Sequence, residues 1–281
     1  MRLSGKLSGG HYTIPGNISS QYITGLLFAL PLVNEDSVLE ITQAIESGPY
    51  IDLTRDCLER SGIDIGRETD RRYVIKGRQS YDLSGDYDIE GDWSNGAFFI
   101  CASAMSGGDL KVSNLREDSL QGDRKVLDVL RDLGFEIRRE NGSISIGRGE
   151  LRGITIDARE IPDIIPPLAA VACMVNGTTR IINAGRLVIK ESNRLLAIYE
   201  ILKELGADIE LGEDSLTING KGHLKGGTVD SYNDHRMVMM ASICSLISDG
   251  DITINGAEAV NKSYPGFFED LMSLGGKVEY L

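Results

Sequence analysis

A polar turn, a long apolar run and a short strand-like segment follow one another four times along this chain. Each run is apolar on nearly all sides and long enough for a helix, which indicates a buried helix rather than a surface one. The apolar runs are Ile23–Leu32, Ala97–Met105, Ile164–Val175 and Met237–Ile247. The strand-like segments are Ser37–Thr42, Asp109–Val112, Gly177–Ile182 and Asp251–Ile254.

A second, amphipathic helix that ends at a glycine is predicted in each copy. Its leucines recur about every 70 residues, at Leu58, Leu130, Leu202 and Leu271. The glycines that follow are Gly62, Gly134, Gly206 and Gly275. Glycine ends a helix readily because it adopts the left-handed conformation without a side-chain clash, and we expect a further strand after each one. The chain is therefore predicted to be four αβ units in an α/β (α+β) fold.

The cysteines indicate packing rather than chemistry. Cys57, Cys101, Cys173 and Cys244 include no C-x-x-C pair, which disfavours a zinc site or a redox dithiol. Three of them lie in apolar helical patterns, where a free cysteine behaves as a small hydrophobic residue. We predict that the cysteines are buried and reduced.

Composition and charge exclude several classes of partner. Hydrophobic residues make up 41% and charged residues 25% of the chain, as in ordinary globular proteins. A formal net charge of -13 disfavours nucleic acid. No segment resembles a leader peptide or reaches the length of a bilayer span, so we expect a cytoplasmic protein that does not contact a membrane. Anionic ligands would need a local cationic pocket.

The starts of the buried helices offer anion-binding groups, because the N-terminus of a helix carries unpaired N–H groups and a partial positive charge. The first copy has Ser19, Ser20 and Gln21 there. One serine would suffice as an N-cap, so capping and ligand binding both remain open. Asp163 starts the helix of the third copy, and an N-cap explains it best when it is considered alone.

The helix start of the fourth copy is harder to explain by capping. Capping accounts for Asp234 but not for His235 and Arg236. An arginine at the positive end of a helix is disfavoured unless an anion is bound there. This start therefore favours ligand binding.

A further cationic cluster is predicted at a second helix. Lys190 and Arg194 are four residues apart and are expected to share a face of its first turn. A solvated charged face is the usual alternative, but two cations there oppose the helix dipole and favour a bound anion. Lys262 precedes the last helix and by itself indicates only an exposed lysine.

Cofactor motifs are not found. The sequence has no phosphate-binding glycine loop, no dinucleotide fingerprint and no metal-ligand cluster of histidines. We therefore expect no cofactor and no metal.

Eight segments in register resemble the landmarks of 5-enolpyruvylshikimate-3-phosphate (EPSP) synthases, nearly from end to end. They are Gly16–Gln21, Ser47–Thr54, Glu90–Ser94, Gln121–Asp123, Ile161–Asp163, Lys190–Arg194, Asn233–Arg236 and Lys262–Pro265. The resemblance implies the inverse α/β barrel of enolpyruvyl transferases, with two domains of three αβ units and a site between them. It assigns residues 1–89 to one unit of the first domain and 90–281 to three units of the second, four of the usual six. The glycine-serine-lysine and asparagine-serine-glycine-threonine motifs of the family do not occur here.

The resemblance implies transfer of the enolpyruvyl group of phosphoenolpyruvate to the 5-hydroxyl of shikimate 3-phosphate, with release of phosphate. Carried over by position, Ser19, Ser20 and Ser47 would hold the phosphate of shikimate 3-phosphate, with Tyr50 nearby. Gln21 would bridge the two substrates.

The resemblance also assigns the cations. Lys190 would reach the phosphate of shikimate 3-phosphate. Arg194, Arg236 and Lys262 would neutralise phosphoenolpyruvate, with His235 alongside. Arginine suits this task because its planar fork pairs with carboxylate or phosphate through two hydrogen bonds.

Two carboxylates take opposite proton-transfer roles in this scheme. Asp163 resembles the group that helps to remove the proton of the attacking 5-hydroxyl. Glu191 resembles the acid that protonates the methylene carbon of phosphoenolpyruvate. The sequence departs from the family at Gly48, where a lysine is common, and at Arg186, where some members have asparagine.

The leading hypothesis is a monomeric EPSP synthase polypeptide that lacks part of its site and is incomplete as this chain alone. Two alternatives remain beside it. One is the related transferase that acts on UDP-N-acetylglucosamine, although the Asn233–Arg236 and Lys190–Arg194 segments favour the shikimate enzyme. The other is an inactive domain fragment that binds an anion, since two units of the family fold are not found in the sequence.

Overall fold

Helices and strands alternate throughout the chain, which confirms the predicted α/β class. The structure, a computed structural model, describes residues 2, 4–107, 110–140 and 143–281. The chain divides into two units. Unit 1 comprises Met1–Ile89 with Leu120–Gly122, and unit 2 comprises Glu90–Ser119 with Asp123–Leu281.

Unit 1 is a four-stranded sheet with two helices. The strands are β1 (Gly10–Pro15), β2 (Ser37–Thr42), β3 (Ile65–Thr69) and β4 (Arg72–Ile75), and the helices are α1 (Ser20–Ala29) and α2 (Gly48–Arg60). The sheet order is β1-β2-β4-β3, with β1 parallel to β2 and β4 antiparallel to both of its neighbours. Strand β2 alternates between buried and less buried positions, as its sequence predicts. Its buried side joins α1 and α2 in one hydrophobic core.

Unit 2 is larger, and its described residues form three sheets. Its helices are α3 (Trp93–Ser106), α4 (Val126–Asp132), α5 (Ile165–Met174), α6 (Arg194–Glu204), α7 (His235–Cys244) and α8 (Phe267–Ser273). Its strands are β5 (Phe135–Glu140), β6 (Ser143–Arg148), β7 (Thr155–Asp157), β8 (Gly177–Ile182), β9 (Asp208–Leu211), β10 (Leu216–Gly220), β11 (Gly227–Asp230) and β12 (Ile252–Asn255). The sheets have the orders β7-β8-β10-β9, β11-β12 and β5-β6.

Short 3-10 helices lie beside several of these elements. They span Leu30–Leu32, Gly122–Lys125, Pro162–Ile164, Gly185–Ile189, Ser245–Ile247 and Ala257–Lys262. One of them, Pro162–Ile164, comes directly before α5, and another, Gly185–Ile189, comes shortly before α6. These two 3-10 helices therefore fix the positions of the polar residues that precede α5 and α6.

The apolar helices α3, α5 and α7 contact one another in pairs and form the middle of the core of unit 2. Every residue of α5 is buried, as expected for a helix that is apolar on all sides. Cys101, Cys173 and Cys244 are free thiols buried in these helices, which confirms their predicted structural role. The prediction was wrong for Cys57, a free thiol on an exposed position of α2.

The predicted helix-ending glycines all have positive φ. The angles are 77° at Gly62, 101° at Gly134, 88° at Gly206 and 97° at Gly275. A residue with a Cβ is strained at such angles, so the pattern of the sequence identified the ends of α2, α4, α6 and α8 for a physical reason.

Two predicted strands are not found as such. Residues 276–281 after α8 form no strand, because none of the described strands pairs with them. In Asp109–Val112, Asp109 lies outside the described residues, Leu110 and Lys111 are not in a strand, and Val112 forms only an isolated bridge to Ile144. Among the described residues, no helix is both long and apolar enough to cross a membrane.

Candidate active site

The start of α7 brings charged groups together because Asp234 caps it. The Asp234 carboxylate accepts a hydrogen bond of 2.9 Å from the Arg236 backbone N–H, as an N-cap does. The two residues before it, Tyr232 and Asn233, both have positive φ, 52° and 54°. This sharp turn places His235 and Arg236 in the first turn of the helix.

Arg194 is the first residue of α6 and its side chain is completely buried. Its guanidinium donates to the Asp234 carboxylate over 2.8 Å, to the Asp163 carboxylate over 2.7 Å and to the Glu191 carboxylate over 2.5 Å. A buried charge is costly unless it is paired and hydrogen-bonded. These three carboxylates supply that pairing, and the alternative of a solvated charged face is wrong for Arg194.

Asp163 lies in the 3-10 helix Pro162–Ile164, just before α5. It is not an N-cap, because Ile161 and Ile164 occupy the cap positions, so that interpretation is wrong. Its carboxylate instead pairs with the Arg194 guanidinium, with the Lys190 amine at 3.3 Å and with Arg236 Nε at 3.5 Å.

These cations determine the charge state of Asp163. Burial would raise the pKa of the Asp163 carboxyl, but the charges of Arg236, Lys190 and Arg194 outweigh it and hold that pKa well below its usual range. Asp163 is therefore ionised at neutral pH.

Lys190 and Glu191 precede α6 instead of lying in it. The prediction that Lys190 and Arg194 share a helical face is wrong, because Asn193 caps the helix and Arg194 starts it. Lys190 has extended backbone angles, φ -86° and ψ -161°, which turn it towards Asp163. The Glu191 side chain is about half exposed, so it contacts both Arg194 and solvent.

Arg236 and His235 present buried nitrogens without a hydrogen-bond acceptor in the described part of the chain. Arg236 donates from Nη1 to the Asp163 backbone carbonyl over 3.1 Å, whereas its Nε and the Nδ1 of His235 have no hydrogen-bond partner. Burial, followed by the positive charge of Arg236, lowers the pKa of His235, which keeps the imidazole neutral at pH 7. Buried nitrogens of this kind are suited to meet an anionic ligand.

Lys262 also lies next to the start of α7, although it comes after that helix in the sequence. It ends the 3-10 helix Ala257–Lys262, and its amine donates to the Asn233 backbone carbonyl over 2.5 Å. The structure thus places Lys262 next to the segment that carries His235 and Arg236, although the lysine alone gave no such indication.

The remaining candidates, Ser19, Ser20, Gln21, Ser47 and Tyr50, belong to unit 1. Ser19 caps α1 and accepts from the Gln21 backbone N–H over 3.3 Å, so capping is confirmed for this serine. Ser20 is buried and Gln21 is exposed at the start of the helix.

Ser47 and Tyr50 lie at the start of α2. Ser47 is buried, occupies the N-cap position with φ 55° and does not cap the helix through its side chain. The Glu46 backbone N–H donates to the Gly16 carbonyl over 3.2 Å. This bond joins the segments ahead of α1 and α2, so their N-termini lie on the same side of unit 1.

The ion pairs of Asp163, Lys190, Glu191, Arg194, Asp234 and Arg236 form one charged cluster in unit 2. The sequence pattern indicates neither the part that Asp234 plays in it nor the contact of Ser192 with it. The sequence predicts Asp234 only as a cap, yet its carboxylate is also the fully buried partner of Arg194. Ser192 donates to the same carboxylate over 3.0 Å. An aspartate next to His235 and Arg236 was the available signal, but pairing across about 40 positions of sequence is not visible in a local pattern.

The described residues contain no group of three or more histidine, cysteine, aspartate and glutamate side chains that could hold a metal ion. The charged cluster of unit 2 is instead a set of alternating carboxylates and cations. Displacing one carboxylate from its cations would expose positive charge to a ligand.

The comparisons with known proteins agree on one family. The sequence model described as EPSP synthase (3-phosphoshikimate 1-carboxyvinyltransferase) matches residues 2–271. A protein named 3-phosphoshikimate 1-carboxyvinyltransferase from Clostridium kluyveri is 45% identical over 279 residues, which are 99% of this chain and 65% of that protein. One of the same name from Clostridioides difficile is 47% identical over 278 residues, 99% of this chain and 63% of that protein.

A solved structure agrees with these sequences. The EPSP synthase from Acinetobacter baumannii superimposes with a TM-score of 0.78 at 25% identity, over 95% of this chain and 63% of that chain. The chain thus spans slightly less than two thirds of the length of the relatives it matches.

Proposed function

This chain belongs to the EPSP synthase family, and on that premise we propose that it supplies the phosphoenolpyruvate-binding part of an enolpyruvyl transferase. The reaction transfers the enolpyruvyl group of phosphoenolpyruvate to the 5-hydroxyl of shikimate 3-phosphate and releases phosphate, a step of aromatic amino acid biosynthesis. The observation that carries the proposal is the buried Arg194, held by three carboxylates next to Arg236.

Arg194, Arg236 and Lys262 bind the carboxylate and phosphate of phosphoenolpyruvate in this proposal. The buried Nε of Arg236 and Nδ1 of His235 support it, because each is a nitrogen that a ligand oxygen could pair with. Lys190 serves the phosphate of shikimate 3-phosphate; its amine is partly exposed and lies at 3.3 Å from Asp163.

Asp163 and Glu191 carry the proton transfers. Asp163 accepts the proton of the 5-hydroxyl, and it is ionised as a base must be. A carboxylate held by three cations is a weak base, so substrate anions that draw Lys190 and Arg236 away would raise its pKa and strengthen it. Glu191 donates the proton to the methylene carbon and exchanges it with solvent through its exposed side.

The start of each unit 1 helix binds the phosphate of shikimate 3-phosphate in the proposed scheme. Ser19, Ser20 and Ser47 supply hydroxyls and backbone N–H groups, with Tyr50 close by and Gln21 between the substrates. The bond between Gly16 and Glu46 supports this role, since it brings two helix N-termini to one side.

The chain is proposed to comprise parts of two domains, residues 1–89 and 90–281. We also propose a monomer in the cytoplasm without a cofactor. The four free cysteines support a reducing compartment.

Binding to this chain tests the proposal. Arg236→Ala is expected to weaken phosphoenolpyruvate binding about tenfold or more, because a charge-assisted hydrogen bond is lost, and to weaken shikimate 3-phosphate less. Titration calorimetry with each ligand measures both effects. Arg138→Ala is the control, since Arg138 is an exposed arginine of unit 2. Equal losses for the two ligands would contradict the assignment.

Turnover distinguishes the alternatives. Because the chain lacks the glycine-serine-lysine motif, we expect no release of phosphate from phosphoenolpyruvate with shikimate 3-phosphate and this chain alone. Rapid turnover would show that the chain is a complete enzyme. Turnover with UDP-N-acetylglucosamine in place of shikimate 3-phosphate would instead identify the related transferase.

A further inference from the structure

Two consecutive residues ahead of α7 have the left-handed backbone conformation, although neither is glycine. They are Tyr232 with φ 52° and Asn233 with φ 54°. Asparagine adopts this conformation more readily than most residues, whereas it is costly for a residue with a bulky side chain. Such strain persists only where surrounding contacts enforce it, and it occurs most often at functional sites. Contacts elsewhere in the fold must therefore hold Tyr232 in this turn.

Hydrogen bonds along the backbone define the turn. The Tyr232 N–H donates to the Asp230 carboxylate over 2.6 Å, and the Asn233 N–H donates to the Ser231 hydroxyl over 3.2 Å. The Asp234 N–H donates to the Ser231 backbone carbonyl over 2.9 Å. These acceptors belong to the turn itself or to the end of β11, so the three bonds shape the turn without joining it to another helix.

The Tyr232 side chain joins the turn to a helix. Its hydroxyl donates to the Glu200 carboxylate over 2.5 Å, and Glu200 lies in α6, the helix that begins with Arg194. This hydrogen bond raises the pKa of Tyr232 to about 12, so the phenol keeps the proton that it donates at neutral pH. A hydrogen bond to a carboxylate is stronger than one between neutral groups. The turn is thereby fixed to the helix that carries Arg194.

The position of this turn decides where three groups of the candidate site lie. The Asn233 carbonyl accepts from the Lys262 amine, and His235 and Arg236 follow in the first turn of α7. His235 is only 6% exposed, and its Nδ1 has no hydrogen-bond partner among the described residues. A rotation of the turn would move all three groups with respect to Arg194.

We propose that Tyr232 is a positioning residue, because its bond to Glu200 holds the left-handed turn in place. That turn sets the positions of His235, Arg236 and Lys262 for the ligand. The inference rests on the proposed function for the identity of the ligand, phosphoenolpyruvate. Tyr232 is 39% exposed, so replacing it should leave the core of unit 2 intact.

Three substitutions at position 232 separate the hydroxyl, the ring and the backbone strain. Tyr232→Phe removes only the hydroxyl and is expected to weaken phosphoenolpyruvate binding about threefold or more, through the loss of one hydrogen bond. Tyr232→Ala also removes the ring and should weaken binding further. Tyr232→Gly should bind more tightly than Tyr232→Ala, because glycine adopts a positive φ without strain. A role in packing alone would make Tyr232→Gly at least as harmful as Tyr232→Ala.

Substitutions of Glu200 test the partner. Glu200→Ala should reproduce the effect of Tyr232→Phe, and Glu200→Gln should cause a smaller loss because its amide oxygen still accepts from the hydroxyl. Combining Glu200→Ala with Tyr232→Phe should add nothing, since both remove the same bond. Tyr280→Phe is the control, because Tyr280 is a 73% exposed tyrosine of unit 2. Titration calorimetry measures the affinity for phosphoenolpyruvate, and circular dichroism checks that the variants fold.

Hydrogen exchange tests the turn without any ligand. The N–H groups of Asn233 and Asp234 are protected by bonds within the turn. They should exchange about threefold or more faster in Tyr232→Phe than in the parent chain, and at an unchanged rate in Tyr280→Phe.

The two measurements separate this inference from the proposed function. If the parent chain binds no phosphoenolpyruvate, the proposed function fails, and hydrogen exchange alone decides whether Tyr232 holds the turn. If the parent chain binds it, the inference is wrong when Tyr232→Phe either exchanges or binds like the parent chain. It is also wrong if Tyr232→Gly binds no more tightly than Tyr232→Ala.

Discussion

Asp163 and Asp234 are the two buried carboxylates among the three that pair with the buried Arg194 in unit 2. Arg194 has no exposed side-chain surface, and both aspartates are nearly or fully buried beside it. Removing a partner from such a group costs more than the original pair contributes, because an uncompensated charge stays buried. The two residues are therefore structural before any substrate binds.

Asp234→Asn is expected to lower the free energy of unfolding by about 3–5 kcal/mol, because it leaves Arg194 without its fully buried anion. Urea denaturation measures the change. Asp128→Asn is the matched control: Asp128 forms an exposed ion pair with Arg131, and losing such a pair costs less than about 1 kcal/mol. If the free energy of unfolding falls by a similar amount in both variants, the buried pair stabilises the fold no more than the exposed pair does.

His235 and Asp163 should both contribute to the dependence of the free energy of unfolding on pH. The folded pKa of His235 is lowered, so stability is lost as pH falls below the unfolded value of about 6.5. The folded pKa of Asp163 is also lowered, so a second loss begins as pH falls below about 4. Urea midpoints from pH 8 to pH 3 measure both steps.

Substitutions assign these steps. His235→Gln should remove the loss between pH 7 and pH 5, and Asp163→Asn should reduce the loss below about pH 4. A profile that is unchanged in both variants would mean that other groups cause the acid sensitivity.

Within single elements, replacing glycine by alanine is expected to have opposite effects on the free energy of unfolding at Gly25 and at Gly134, because their surroundings differ. Gly25 lies inside α1, and a Cβ there would meet nothing within 4 Å. Gly134 ends α4 with φ 101°, and a Cβ there would overlap the Glu150 carbonyl. Gly25→Ala is expected to raise the free energy of unfolding by about 0.5–1 kcal/mol.

Gly134→Ala should lower the free energy of unfolding by more than about 1 kcal/mol, because it adds both strain and a clash. Thermal or urea denaturation of the two alanine variants measures the contrast. Destabilisation by both would indicate that α1 does not tolerate a side chain at position 25.

Several elements follow from local pattern and several do not. The strands β2 and β8 have the predicted bounds, since alternating burial and flanking turns define them locally. The segment Lys190–Glu191 reads like a helix start, but the cap at Asn193 and the contact with Asp163 hold it outside α6. Residues 276–281 read like a strand, but a strand exists only where a neighbour completes its hydrogen bonds.

At the scale of the molecule, each unit has its own hydrophobic core, and the single tryptophan reports on one of them. Trp93 is fully buried in unit 2, whereas circular dichroism responds to both units. Ile23→Ala removes a core side chain of unit 1, at a cost of about 2–5 kcal/mol. It should lower the midpoint measured by circular dichroism and leave the midpoint of tryptophan fluorescence unchanged.

Ile198→Ala in unit 2 is the complementary variant and should lower the fluorescence midpoint. If Ile23→Ala shifts both midpoints equally, the two units unfold as one cooperative body. The experiment therefore measures the coupling between them.

The overall charge sets the background for the charged cluster. A chain of net charge -13 repels anions at long range. The cations around Asp163 act at contact distance, where burial reduces screening by salt. The local pairing of charges, rather than the negative net charge of the whole chain, therefore decides what this part of unit 2 can bind.

Local pattern and the order of motifs are enough to predict the apolar helices, the helix-ending glycines, the α/β class and the family, because each depends on residues that are near one another or on motifs in fixed order. The burial of Arg194, the pairing of Asp163 with cations and the contact of Lys262 with Asn233 arise only when the chain folds. Charge pairing joins groups that are far apart along the chain. The sequence of a single segment does not indicate which distant residue will neutralise its charge.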